Sequence, residues 1–124
     1  MIARLRGVLA GKGADHLVLD VNGVGYLVFS PANQLQGLGE GEALELHIST
    51  VVREDAITLY GFQSTEDREA FNILRGVNKI GPKSALSILS GMGMQALASA
   101  VATDDIRALS KVPGIGKRTA ERLC

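Results

Sequence analysis

Apolar and polar residues alternate along "HLVLDV" (16–21), "GYLVFS" (25–30), "ALELHIST" (43–50) and "AITLYGF" (56–62). A period of two is the mark of a half-buried strand. In the third segment Leu44, Leu46 and Ile48 share one face. Glycines bound these runs, and "MIARLRGVLA" (1–10) can supply a further strand. About five short antiparallel strands in about 60 residues suit a small Greek-key barrel of the OB type. A generic small barrel satisfies the same pattern.

The period changes at "QSTEDREAF" (63–71). Ser64 with Asp67 three residues on resembles a capping box, and Ala70, Phe71 and Leu74 begin a helical stripe. A domain boundary at residue 63 follows, giving domains 1–63 and 64–124. Pro82 suits a first helical position, and the helix it opens carries Ala85, Leu86, Ile88 and Leu89 before Ser90-Gly91. Another helix holds Leu97, Ala98 and Val101. Thr103 or Asp104 caps a third with Ile106 and Leu109, and "KVPGIGKRTAERL" (111–123) opens a fourth. The expected fold class is α+β, a barrel followed by a helical domain.

Formal net charge is zero, which by itself argues against a nucleic-acid binder. Its distribution reverses that. Residues 1–63 hold four cations (Arg4, Arg6, Lys12, Arg53) against seven anions, whereas residues 70–124 hold eight cations against three anions. The chain has 124 residues and is 46% hydrophobic, enough for one small domain or two very small ones. No run approaches the ~18 apolar residues of a membrane span, and the N-terminus is too short and polar for a signal peptide, so the expected location is the cytoplasm. A lone cysteine, Cys124, excludes an internal disulfide. With only His16 and His47 besides, no zinc-ligand spacing can be assembled, and no metal or cofactor is expected.

The helical half contains a repeat. With an offset of 35 residues, Ile80, Gly81, Lys83, Ser84, Ala85 and Ile88 fall on Ile115, Gly116, Arg118, Thr119, Ala120 and Leu123. Each copy reads glycine turn, cation, hydroxyl, alanine, helix. The glycine lets the backbone turn without a Cβ in the way, and the bare amides that open the next helix stand where the helix dipole is positive. Lys83, Lys117 and Arg118 add charge-assisted contacts to the same anion, with Ser84 and Thr119 as hydroxyl donors. Ile80 and Ile115 would plug the turn into the core. Tight helix connections also arise with no ligand in view, but two copies, each followed by cations, favour a nucleic-acid phosphate. Nucleotide binding is disfavoured: no G-x-x-x-x-G-K-[ST] or G-x-G-x-x-G occurs, and Arg118 stands where the former needs Ser or Thr.

"GIGKRTA" and "KIGPKSA" resemble paired helix-hairpin-helix motifs, which hold DNA by its backbone without reading sequence. "VVREDA", "LYGF", "GPK", "LSGM" and "PGIGKRTAERL" follow one another without large insertions. In that order the chain is similar, over nearly every residue, to the RuvA family, the Holliday-junction-binding subunits of the bacterial branch-migration complex. The resemblance implies a homotetramer, single or doubled to an octamer, whose concave basic face holds four duplex arms in an open junction during recombination and the repair that follows DNA damage in the SOS response. Asn78, Lys79, Gly81, Lys83 and Ser84 would grip the arms together with Gly114, Gly116, Lys117, Arg118, Thr119 and Arg122. Glu54 and Asp55, in the turn between "TVVR" and "AITLYGF", match the family's acidic pin, which pushes crossing strands apart. A solvated hairpin tip is the competing explanation of those two acids. The implied partners are junction DNA, the RuvB ATPase motor and the RuvC resolvase, with no membrane partner.

Two departures stand out. Lys79 lies where many relatives have glycine, and the chain stops at Cys124, so the family's third domain, which recruits RuvB, is expected to be absent. ATP hydrolysis would then reside in the partner. Two rival classes remain. A helix-hairpin-helix DNA glycosylase needs a catalytic aspartate downstream of the hairpin, where only Glu121 precedes the end. An OB single-strand binder would stack bases on aromatics, but Tyr26, Phe29, Tyr60 and Phe62 are expected to point inward. Asp104 and Asp105 are explained by capping, and two scattered histidines suggest no hydrolytic constellation.

Overall fold

In the computed structural model, residues 1–77, 80–91, 99–103 and 107 are described. Contacts divide the chain into two compact units, Met1–Arg68 and Glu69–Cys124. The division falls inside a helix, after the change of pattern at residue 63.

Five strands form the first unit: β1 (Arg4–Lys12), β2 (His16–Val21), β3 (Val24–Phe29), β4 (Ala43–Val52) and β5 (Ile57–Phe62). They close in the order β1-β2-β3-β5-β4, with β3 and β5 parallel and the other pairs antiparallel. This is the OB-like barrel expected from the alternation. Closure works because β1 serves two neighbours. Arg4–Val8 pairs with β4 and Val8–Lys12 with β2, and a register shift between Leu9 and Gly11 bends the strand at the changeover. Between β2 and β3 the chain turns on Asn22 (φ 53°) and Gly23 (φ 91°), the two positive dihedrals that match a tight hairpin to strand twist.

Leu9, Leu17, Leu19, Val28, Leu46, Ile48 and Leu59 fill the interior. Gly61 shares that face: a Cβ there would stand 2.5 Å from Val28 Cγ1, so only glycine lets β5 lie this close. The Gly61 carbonyl accepts a 2.7 Å bond from the buried Ser30 hydroxyl. One element has no counterpart in the sequence reading, the single turn α1 (Ala32–Leu35), which places Leu35 in the barrel core. Tyr60 and Phe62 are buried as expected, whereas Tyr26 and Phe29 are only half-buried.

α2 (Thr65–Arg75) buries Ala70, Phe71 and Leu74. Ser64 Oγ accepts from the Asp67 N–H at 3.1 Å, the N-cap half of the expected box. The Asp67 carboxylate turns to Gln34 instead, accepting from its Nε2 at 2.9 Å. α3 (Pro82–Gly91) buries Ala85, Leu86, Ile88 and Leu89, the four positions the spacing picked out. Residues 99–102 are helical and end where the Thr103 N–H and hydroxyl both bond the Ser99 carbonyl. Among the described residues, no helix is long and apolar enough to cross a membrane.

Candidate nucleic-acid interface

The turn into α3 is set by backbone bonds among the described residues. Gly76 and Val77 close α2 through N–H bonds to the Ile73 and Leu74 carbonyls, and the Ile80 N–H bonds the Val77 carbonyl. Ile80 is itself buried, so it anchors the turn as expected. Gly81 then stands at the N-cap, its carbonyl taking the first helical bond from the Ala85 N–H at 3.0 Å. The opening N–H groups of an α-helix have no partner within it. Pro82 has none to offer, so the Lys83 and Ser84 amides lead the helix. α3 carries no acidic residue in its first turn, so no side chain of that turn offsets the positive end of its dipole.

Gly81 is exposed, its φ lies outside the left-handed region, and a Cβ built on it would meet no atom of the described residues beyond its chain neighbours within 4 Å. Among the described residues, then, the turn leaves room for a Cβ. As a glycine, Gly81 sets no side chain of its own over the α3 amides. Lys83 is exposed beside it and Ser84 is half-buried. Of the remaining sequence-predicted contacts, Asn78, Lys79, Gly114, Gly116, Lys117, Arg118, Thr119 and Arg122 lie outside the described residues, as does the Ile115 plug.

The acidic pair sits at the end of the β4–β5 hairpin. Arg53 and Ala56 exchange backbone bonds, the Arg53 N–H to the Ala56 carbonyl at 2.8 Å and the Ala56 N–H to the Arg53 carbonyl at 3.4 Å. Glu54 and Asp55 are left as a two-residue tip. Every residue from Val52 to Ile57 is exposed, so both carboxylates face solvent on a projecting hairpin. Sequence reading named the acids but passed over Val52 and Ile57, the apolar pair that flanks them. The signal was two branched apolar residues bracketing a charged turn.

The aromatic platform needed for single-strand stacking is not laid open. Phe29 and Tyr60 rest against each other at 5.9 Å between ring centroids, Phe62 is fully buried, and Tyr26 packs against the barrel core. Among the described residues, no group of three or more His, Cys, Asp or Glu is arranged to hold a metal ion.

Comparison with known proteins matches both units. Residues 1–61 match the family described as RuvA N terminal domain, and residues 71–124 match the SAM-like helix-hairpin-helix tandem. A relative from Anaeromyxobacter sp. (strain Fw109-5) is 56% identical over 124 residues, covering 99% of this chain and 63% of that protein. One from Pelobacter propionicus is 51% identical over 123 residues, covering 99% and 62%, and one from Pseudomonas syringae pv. syringae is 52% identical over 124, covering 99% and 61%. Each is named Holliday junction branch migration complex subunit RuvA. This chain thus spans somewhat over three-fifths of the length of these curated relatives. With a closed five-stranded barrel, a match to the helix-hairpin-helix tandem over the residues that follow it in sequence and identity above one half along nearly the whole chain, the chain belongs to the RuvA family.

Proposed function

We propose that this chain binds four-way DNA junctions by their backbone and holds them open for branch migration driven by a partner. The observation that carries the reading is the α3 start: leading amides with no acceptor inside their own helix, an exposed lysine and an N-cap glycine with space among the described residues where its side chain would be. A phosphate oxygen fits such a site through charge-assisted bonds to N–H groups at the positive end of the dipole. The repeat supplies a second copy of the grip through Gly114, Gly116, Lys117, Arg118, Thr119 and Arg122, and Asn78 and Lys79 add to the first. The relatives are named as branch-migration subunits, which supports the junction as the DNA form.

On this reading residues 1–63 assemble four copies and present Glu54 and Asp55 as a pin, while residues 64–124 hold the arms. ATP hydrolysis belongs to a separate motor of the RuvB kind, resolution to a RuvC-type nuclease, and the complex works on chromosomal DNA in the cytoplasm. The test is a gel-shift titration of a synthetic four-way junction against linear duplex with the same arm sequence, repeated across a salt series. The junction should bind more tightly, and log K should fall linearly with log salt, about 0.9 per phosphate neutralised. Equal affinity for both DNAs, or binding indifferent to salt, refutes it.

A further inference from the structure

Inner-face positions recur at every second residue of β4 and β5. Leu46, Ile48 and Leu59 occupy them inside the barrel. Toward the turn the same parity reaches Thr50, whose hydroxyl donates to the Ile2 carbonyl at 2.6 Å. It ends at Val52, which pairs with Ile57. These two are 58% and 70% exposed. The apolar face of the barrel therefore runs out past its rim and finishes in an uncovered β-branched pair beside Glu54 and Asp55. Register does not require this. Threonine is also a β-former, and leaving aliphatic surface in water forgoes the stabilisation that burial brings.

We propose that Val52 and Ile57 form a seat for unpaired nucleobases at the junction crossover, working beside the acidic tip. The inference rests on the junction-binding reading above. Charge selects the occupant. A duplex backbone approaching the pair must bring phosphates against the Glu54 and Asp55 carboxylates, which only Arg53 offsets locally. The same hairpin of a second copy would bring two further carboxylates, again like against like. An unpaired base carries no charge. Its flat face is apolar and suits branched aliphatic side chains, and unpairing frees N–H donors on its edge that carboxylates accept, as they do from cytosine N4. Apolar side chains set against opened base steps are a general means of holding unstacked DNA. The carboxylates would turn phosphates away while the pair receives the bases those phosphates carry.

The test uses the full chain and a four-way junction with 2-aminopurine replacing an adenine next to the crossover, at protein concentrations that bind all of the junction. Unstacking brightens 2-aminopurine. The wild-type chain should raise its emission. A Val52→Thr/Ile57→Thr double variant should lose the increase while its circular dichroism and assembly size match wild type. The single variant Ile57→Thr should lose part of it, and decides the matter should the double variant misfold. Wild-type emission from correctly folded variants overturns the base seat, and so does a change in assembly size, which would assign the pair to a second copy. A wild-type chain that shifts the junction without brightening the probe overturns the seat alone. Failure to shift the junction at all overturns the functional reading, and the seat falls with it.

Discussion

A valine at position 81 separates the fold from the proposed grip on DNA. Gly81 precedes Pro82, which confines it to extended backbone, and its φ is outside the left-handed region, so a branched side chain fits the local geometry. Among the described residues, its chain neighbours aside, no atom lies within 4 Å of the Cβ it would add. Two small terms then oppose each other. Loss of a favourable N-cap residue costs about 1 kcal/mol or less, since glycine caps better than aliphatic residues. Reduced freedom of the unfolded chain returns about 0.4–1 kcal/mol. They nearly cancel, and a residual 1 kcal/mol would move the melting temperature by only about 2–8 °C. The DNA side has no such offset. The added methyl groups crowd the line along which a phosphate oxygen reaches the α3 amides, and a hydrogen bond to a charged group is worth about 1.5–3 kcal/mol. Losing one per protomer should weaken junction binding about tenfold or more. Gly81→Val is checked by thermal melting and by gel shift on the four-way junction. A folded variant that binds like wild type refutes the phosphate site. A melting point lowered far beyond that range refutes the claim that the site leaves room for a side chain.

Two further substitutions probe the barrel. Glu54→Gln with Asp55→Asn removes the repulsion at the tip, so junction affinity should rise while the emission of a crossover 2-aminopurine falls; a variant unchanged in both measures returns the pair to the status of an ordinary solvated turn. Gly61→Ala sets a methyl 2.5 Å from Val28 Cγ1 and 3.2 Å from Ile48 Cδ1, both side chains of the buried barrel core. Overpacking of this kind costs about 1–3 kcal/mol, so the melting temperature should drop, and a variant as stable as wild type would show that β5 can shift outward without loss.

The barrel was legible because its strands bury one face, and a half-buried strand must alternate. Leu17 and Leu19, Leu44 and Leu46, and Leu59 announce themselves by that spacing alone. α1 was not legible for the opposite reason. One turn around Pro31 and Leu35 is shorter than any helical period, so its single core residue looks like part of a polar loop. The capping signal at Ser64 was read correctly, but Asp67 pairs with Gln34, a residue 33 positions earlier, and no local pattern can foresee a long-range bond. Gly81 shows the limit most clearly. Sequence marks the glycine, and the usual inference is that a turn needs its freedom. Only coordinates distinguish a glycine required by φ or by a neighbour inside the fold from one whose open space faces outward.

That distinction bears on how, under the proposed function, a chain of zero net charge would prefer a junction. If the cations acted as a diffuse field, the chain's 13 Asp and Glu would cancel its 13 Lys and Arg. Contacts at helix starts avoid this, because the amides and Lys83 act at hydrogen-bond range, where geometry and local desolvation outweigh distant charge. On the proposed reading the acids at the hairpin tip would serve selection instead of opposing binding. Discrimination is a difference of two affinities and is sharpened by a repulsive element as well as by attractive ones. On the proposed reading, a continuous duplex laid across the tip must hold phosphates against Glu54 and Asp55, whereas an open crossover lets its strands diverge around them. Backbone contacts alone would hold any duplex; joined to a negatively charged centre, they favour the one DNA form whose strands leave that centre free.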